Sequence, residues 1–371
     1  MSSIFLFFGI ISLLVVIHEL GHFFAAKKMG VKVEEFGLGL PPKLFGKQFG
    51  ETFFSFNALP FGGFVRLKGE EESSSENDSF ESKKPYQRAF IIIAGVAMNL
   101  VLGVLIFQGT LFSRDFKSEY FPIINNIKPV FGRLEVVSGL IAGLSDESKL
   151  DRATLKNGDY VYSINQVEVS SNDQLKQLVN SSTSDNAVIV LKNIKDGTLV
   201  KEVSVPLINK DGKKYLGIYL GDAGRVVYEG NDRFISGVLH SANVLKLSFQ
   251  SLGLLIDQSI QTKDMSILAE NVDGPVGIYS VVDSINQNNS SIINLDILEL
   301  IAILSLSLAV MNILPIPAVD GGRLVFIVYE MISRRKPNPK LELAVNKYGM
   351  LFLLGMLILV TFKDVTNIFA Q

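Results

Sequence analysis

Two histidines and a glutamate near the amino terminus have the spacing of a zinc-binding motif. The motif reads His18-Glu19-Leu20-Gly21-His22 and uses two of the three histidines in the chain. Residues four apart on a helix share one face, so both imidazoles can contact a single zinc ion. Glu19 would then lie beside the metal, where its carboxylate can take a proton from a bound water. The motif therefore predicts a hydrolytic zinc centre.

The sequence around this motif has the composition of a membrane protein. Hydrophobic residues make up 48% of the chain, and no charged side chain precedes His18. A secretory signal normally begins with lysine or arginine, so we interpret the start as a retained membrane span. The net charge of −2 gives no reason to expect nucleic-acid binding. Cysteine is absent, so metal ligands must come from histidine, aspartate or glutamate.

Four segments are apolar and long enough to cross a hydrocarbon core about 30 Å thick, which needs about 20 residues. They are Ile4–Ala26, Phe90–Phe112, Ile297–Val319 and Tyr348–Ile368. Lysine and arginine are dense between the first and second spans, and again between the third and fourth. Both of these loops are therefore predicted to be cytoplasmic, with the termini and the long central region on the opposite side.

A fifth apolar stretch, Phe234–Ile256, contains a histidine and a lysine. We interpret it as an amphipathic helix lying against the membrane or the other helices. With four spans, His18 and His22 lie past the middle of a helix entering the cytoplasm, and Asp320 ends a helix running the same way. A fifth crossing would put Asp320 at the opposite face. His240, which has no partner motif nearby, is interpreted as a packing or interfacial residue rather than a ligand.

The end of the third span combines prolines with polar side chains in the sequence NILPIPAVDGGR, from Asn312 to Arg323. Proline interrupts helical hydrogen bonding, and backbone freed at membrane depth is tolerated only within protein or beside a water-filled cavity. Asn312 and Asp320 are polar groups at that depth, which by default marks a functional site. The carboxylate of Asp320 completes a set of two histidines and one carboxylate. A helix end capped by Asp320 is the alternative interpretation of this motif.

At these two motifs the chain resembles the site-2 protease family, close to the bacterial regulator-of-sigma-E protease subgroup. VIHELGHFFAAKKMGVKVEEFGLG resembles the first family block, NILPIPAVDGGR resembles the second, and the intervening parts follow in the same order. The resemblance implies zinc held by His18, His22 and Asp320, with Glu19 as the catalytic base. It also implies an intramembrane endopeptidase of the bacterial inner membrane. The implied partners are single-span membrane substrates, such as an anti-sigma factor and remnant signal peptides.

Between the first two spans, Phe53–Arg66 predicts a β-hairpin, because aromatic and β-branched residues are interrupted there by proline and glycine. An apolar strand edge beside the zinc could pair with an unwound substrate segment. The corresponding family segment is a membrane-associated hairpin whose motif includes Gly62 and Gly63, so both are candidate substrate-binding residues. Asn312 is the candidate for holding the substrate backbone. Asn99 is interpreted as a helix–helix hydrogen-bonding residue.

The central region Tyr120–Leu220 predicts a separate soluble domain with a PDZ-like fold. Leu155–Asn165 resembles the turn and strand of many PDZ domains. Val188–Lys192 and Lys201–Pro206 alternate as strands do, and Asn172–Val179 has the pattern of a short helix. We expect this domain to act as a steric filter that excludes large extracytoplasmic domains, rather than as a peptide-binding module.

The predicted fold is a polytopic α-helical membrane protein with four transmembrane helices, a membrane-associated β-hairpin and one inserted extracytoplasmic PDZ-like α+β domain. Residues 1–119 and 296–371 form the two halves of the membrane core, 120–221 the PDZ-like domain, and 222–295 an amphipathic connection. Gly274–Ile278 is predicted to form a tight re-entry turn. Two alternatives stay open: a catalytically inactive scaffold that binds envelope proteins, and a metal transporter. The oligomeric state is also open.

Overall fold

The computed structural model describes residues 3–70, 76–123, 128–150, 155, 158–194, 199–264, 266–267, 274–288 and 294–370. The chain forms two compact units. One is Leu111–Leu252, and the other combines Met1–Thr110 with Gly253–Gln371. Buried hydrophobic clusters lie within each unit, so each has its own core.

In the described ranges the helices are α1 (Ser3–Lys28), α2 (Pro85–Ser113), α3 (Asn172–Asn180), α4 (Ser236–Thr262), α5 (Pro275–Asn288), α6 (Leu295–Ile313), α7 (Asp320–Ser333) and α8 (Pro339–Ala370). Four of these helices, α1, α2, α6 and α8, are long and apolar enough to cross a membrane by length and composition. Each of them overlaps one of the four predicted spans. The amphipathic helix α4 is not among them.

The third apolar helix ends earlier than predicted. α6 stops at Ile313 instead of Val319, and Leu314 is already extended, with φ −64° and ψ 145°. Proline disfavours a helical conformation in the residue before it, and Pro315 therefore ends the helix at this point. Asp320 consequently begins α7 and does not end a span, which corrects the sequence prediction.

The strands are β1 (Val33–Phe49), β2 (Thr52–Leu67), β3 (Phe121–Ile123), β4 (Arg133–Leu144), β5 (Asp159–Ile164), β6 (Val167–Glu168), β7 (Asn186–Asn193), β8 (Leu199–Pro206), β9 (Ile208–Lys210), β10 (Lys213–Tyr215) and β11 (Ile218–Val227). The first two belong to the unit that carries the apolar helices. The others belong to the unit Leu111–Leu252.

β1 and β2 are long, bent strands that pair with each other twice. Phe36 faces both Phe54 and Val65, so the bends place four short runs side by side in the order 43–49, 52–57, 33–38 and 63–67. The prediction of a complete hairpin within Phe53–Arg66 was therefore wrong, because those residues form most of the single strand β2. Gly62 has φ +79°, a conformation that bends the strand and that glycine adopts readily.

The unit Leu111–Leu252 is built on an antiparallel sheet with the strand order β3-β11-β4-β5-β7-β8, with β6 beside β5. The predicted helix and strands are present as α3, β7 and β8. The predicted turn and strand at Leu155–Asn165 contain β5, although Lys156 and Asn157 lie outside the described residues. Leu175 of α3 packs with Val161 and Ile189 of the sheet in the buried core.

The predicted amphipathic segment forms a 3-10 turn at Gly230–Ile235 and continues into α4. His240 is buried there, and its Nδ1 lies 3.0 Å from the hydroxyl of Tyr228. Burial, and to a lesser extent the charge of Arg114, lowers the pKa of His240 to about 4. Its burial and its contact with Tyr228 agree with the predicted packing or interfacial role.

The predicted re-entry turn at Gly274–Ile278 is instead the start of a helix. α5 begins at Pro275, where proline is well suited because its missing N–H would have no helical partner. Asp364 Oδ2, from α8, accepts hydrogen bonds from the backbone N–H groups of Gly274 and Gly277, each at 3.0 Å. A carboxylate at a helix amino terminus is favourable, so this contact fixes α8 against α5.

Candidate metal centre

Three side chains from α1 and α7 meet in the first unit. Asp320 Oδ2 lies 3.0 Å from His18 Nε2 and 3.3 Å from His22 Nε2. The two Nε2 atoms are 3.1 Å apart. Among the described residues, His18, His22 and Asp320 form a group that could hold a metal ion. The convergence predicted from the two motifs is therefore present.

The spacing of these atoms fits a tetrahedral zinc ion. Zinc binds nitrogen and oxygen ligands at about 2.0–2.1 Å, which puts neighbouring tetrahedral ligand atoms roughly 3.3 Å apart. The three separations here are 3.0, 3.1 and 3.3 Å. Two imidazoles and one carboxylate could hold the ion and would leave a fourth position for water, the ligand pattern of catalytic zinc sites.

The outer ring nitrogens of both histidines are held from α2. His22 Nδ1 lies 2.9 Å from the carbonyl oxygen of Ile91, so it donates its proton there and keeps the Nε2 lone pair for a metal. His18 Nδ1 lies 3.4 Å from the side-chain amide of Asn99, which confirms that Asn99 makes a helix–helix contact. Asn99 Oδ1 is buried and has no hydrogen-bond partner among the described residues. Rotating that amide by half a turn would let Oδ1 accept the His18 Nδ1 proton that metal binding at Nε2 requires.

Glycines let α1 and α2 approach closely enough for these contacts. A Cβ at Gly21 would overlap the carbonyl oxygen of Ala94, and a Cβ at Gly95 would overlap His22 Nε2. Gly95 is not among the residues predicted from the sequence. The available signal was a glycine within a predicted span, a residue type that lets membrane helices approach closely.

Asp320 is a carboxylate in this arrangement. Its Oδ2 faces the two Nε2 atoms at 3.0 and 3.3 Å, where it could serve as the third ligand beside the two imidazoles. The backbone around it is tightly packed, because a Cβ at Gly321 would overlap the carbonyl oxygen of Leu314. An anionic ligand is thus presented on a compact turn.

The three side chains open onto a cavity of about 360 Å³ that Glu19 and Asn312 also line. Phe64 and Val65, from the edge run 63–67 of β2, form part of the same wall. An ion pair between Arg323 and Glu70, which was not predicted from the sequence, also lies at this cavity.

The two candidate glycines differ in their relation to this site. A Cβ at Gly63 would lie 3.9 Å from Glu19 Cγ and 3.0 Å from the carbonyl oxygen of Gly37. Gly62 does not line the cavity, and a Cβ there would meet only Leu40 among the described residues.

The chain is similar in sequence to known proteins along most of its length. The family model of peptidase family M50 matches residues 6–356. The chain belongs to this family. Relatives named as zinc metalloproteases include one from Clostridium perfringens, 31% identical over 95% of this chain and 96% of the relative. Another, from Clostridium acetobutylicum, is 32% identical over 95% of this chain and 94% of the relative. The regulator of sigma-W protease RasP of Bacillus subtilis is 26% identical over 99% of both chains.

This M50 peptidase is thus an intramembrane zinc metalloprotease of the site-2 protease type, as the sequence predicts. Its membrane location agrees with the four apolar helices of the described chain. The family and its named relatives favour the protease over the inactive scaffold and the metal transporter.

Proposed function

We propose that this M50 protease cleaves peptide bonds within the membrane at a zinc ion held by His18, His22 and Asp320. The observation that carries the proposal is the triangle of two Nε2 atoms and one carboxylate oxygen at 3.0–3.3 Å, open to the cavity that Glu19 lines. When bound, zinc supplies an acidified water and a Lewis acid for the scissile carbonyl.

Glu19 is the proton carrier in this proposal. It follows His18 directly in α1 and lines the cavity, but it is not a member of the cluster of His18, His22 and Asp320. Its carboxylate takes the proton of the attacking water and passes it to the departing amine. Asn312, in the last turn of α6, lines the same cavity and can hydrogen-bond the substrate backbone through its side-chain amide.

The substrate is proposed to bind as an extended strand along the run 63–67. This run pairs on one side with 33–38 and has no strand on its other side among the described residues. An exposed strand edge recruits an extended peptide through backbone hydrogen bonds. Gly63 lies next to Glu19, and the absence of a side chain there lets this run pack closely against Gly37 beside Glu19. Gly62 contributes through the bend that brings this edge to the cavity.

A cleavage assay in the presence of a chelator tests the metal and the reaction together. The detergent-purified protein is incubated with a membrane-spanning peptide, and products are identified by mass spectrometry. We expect cleavage that stops after zinc removal and returns when zinc, but not magnesium, is added back, because the donor set suits zinc. Undiminished cleavage by protein that elemental analysis shows to be metal-free would contradict the proposal.

The substrates are proposed to be single-span membrane proteins, including anti-sigma-factor-like proteins and remnant signal peptides. The name of the Bacillus subtilis relative, regulator of sigma-W protease, supports this class. The location is proposed to be the bacterial inner membrane. Lys27 and Lys28 in the last turn of α1 support a cytoplasmic loop after it. The unit Leu111–Leu252 is accordingly proposed to lie on the extracytoplasmic side.

The β-sheet unit is proposed to be PDZ-like and to act as a steric filter. Its sheet and the packed helix α3 support the PDZ-like assignment. The chain runs into and out of the sheet on adjacent segments, since Ser118 N–H donates to the carbonyl oxygen of Val226 at 2.9 Å. Residues 119–225 can therefore be removed and the ends joined by a short Asn-Gly turn.

This deletion is predicted to broaden the substrate range. We expect the variant to cleave a membrane substrate that still carries a folded extracytoplasmic domain, because the unit that blocks such substrates has been removed. The intact protease should leave that substrate uncut, and both proteins should cleave a version without the folded domain. Cleavage is measured in proteoliposomes by gel mobility. A variant that cleaves the substrate without the folded domain, but still does not cleave the one that carries it, would contradict the filter hypothesis.

A further inference from the structure

The last apolar helix contacts the turn that carries Asp320. This turn, residues 314–319, joins α6 to α7. Asn346 Oδ1 of α8 lies 3.4 Å from the backbone nitrogen of Ala318 and accepts its hydrogen bond. One helical turn further along α8, a Cβ at Gly349 would overlap the Cβ of Pro317 and lie 3.1 Å from the carbonyl carbon of Pro317. Asn346 and Gly349 of α8 thus contact the backbone of the turn directly, at Ala318 and Pro317.

The turn needs support from its surroundings at this point. Ala318 has φ +72°, in the left-handed region that a residue with a Cβ adopts unfavourably. Such a conformation persists only where neighbouring groups hold it. On the opposite side the turn is confined by α7, because a Cβ at Gly322 would overlap the carbonyl oxygen of Ile316. Ala318 is two residues from Asp320, so a shift of the turn moves the carboxylate.

Between this contact and its contact with α5 at Asp364, α8 is largely exposed. Phe352 and Leu359 are 69% and 70% exposed, and a Cβ at Gly355 would meet nothing within 4 Å. The contact with the turn is therefore local, and it is separable from the general presence of the helix. The contact depends on the acceptor oxygen of Asn346 and on the absence of a side chain at Gly349.

We propose that Asn346 and Gly349 are positioning residues that hold Asp320 at the zinc site from the last membrane helix. The inference rests on the proposed role of Asp320 as a ligand. Asn346 fixes the left-handed turn through the Ala318 N–H, and Gly349 lets α8 approach closely enough for that bond to form. Neither residue belongs to the group of His18, His22 and Asp320 that could hold the metal.

The test measures zinc affinity of the full-length protein in detergent, by competition with a chromophoric chelator. Gly349→Ala should weaken zinc binding at least about tenfold, the effect typical of disturbing the support of a metal ligand. Gly355→Ala, the same substitution on the same helix, should leave the affinity unchanged. Adding Pro317→Gly to Gly349→Ala removes the Cβ that the new methyl group meets. The double variant should therefore bind zinc within about threefold of Pro317→Gly alone.

Substitutions at Asn346 separate positioning from a general loss of fold. Asn346→Ala should weaken zinc binding at least about tenfold, whereas Asn346→Asp keeps an acceptor oxygen and should restore most of the affinity. The thermal midpoint of the zinc-free protein should be similar in both. Unchanged zinc affinity in Asn346→Ala and Gly349→Ala would overturn the inference. If Asp320→Asn also leaves zinc affinity unchanged, the ligand assignment fails instead, so the two failures are distinguishable.

Discussion

Replacing Glu19 by glutamine is expected to abolish turnover while the protein keeps its zinc and its fold. Glutamine has the size of glutamate but cannot accept the proton of the attacking water. General base catalysis typically contributes about 10²–10⁴-fold, and we expect a loss of at least about a thousandfold because the same group also protonates the leaving amine. Zinc is retained because Glu19 is outside the cluster of His18, His22 and Asp320. Cleavage of a membrane-spanning peptide, elemental analysis and thermal unfolding measure the three properties.

The matched control for this experiment is Glu34→Gln. Glu34 is exposed in β1, does not line the catalytic cavity and receives the same change of charge. Its turnover should equal that of the unmodified protease. Near-normal turnover of zinc-loaded Glu19→Gln would remove Glu19 from the role of base. Glu70, another carboxylate at the cavity, would then be the next candidate.

The local half of the site could be predicted from sequence because its geometry is set by one helix. His18 and His22 are four residues apart in α1, and helical spacing alone brings their rings to one face. Asp320, the distant part of the site, could be predicted only from its depth in the membrane. Counting spans placed Asp320 at the level of the histidines, and its Oδ2 does lie 3.0 Å from His18 Nε2. The error about the end of α6 did not harm this inference, because the turn keeps Asp320 at that level.

The parts that sequence could not give depend on contacts between distant segments. The double pairing of β1 with β2 follows from strand bends, which periodicity along one strand cannot reveal. Gly95 matters only because α2 passes directly beside His22, and Asn99 only because it reaches the outer nitrogen of His18. Neither fact is local to its own helix. The packing of α8 against the Asp320 turn is likewise not visible in the sequence of α8 alone. Gly349 lies against Pro317, whereas a Cβ at Gly355 would meet nothing within 4 Å.

Asp320→Asn is expected to remove zinc as well as activity. Asparagine keeps the shape of the side chain, but its amide oxygen is neutral and a much weaker ligand. Changes to residues that merely support a ligand cost about 10–100-fold in metal affinity, so loss of the ligand charge should cost at least about a hundredfold. Chelator competition and elemental analysis after dialysis measure this loss. Asp211→Asn is the control, since Asp211 is exposed and lies outside the metal cluster.

Zinc-dependent stability gives a second, independent readout of the same substitution. With free zinc at 100 times the wild-type dissociation constant, zinc stabilises the folded protein by about 2.7 kcal/mol, and a hundredfold weaker site reduces this to about 0.4 kcal/mol. The shift of the thermal midpoint on adding zinc should shrink accordingly. Excess zinc should restore part of the turnover of Asp320→Asn but none of that of Glu19→Gln, because only the former lacks metal. Full zinc occupancy of Asp320→Asn at low free zinc would contradict the ligand assignment.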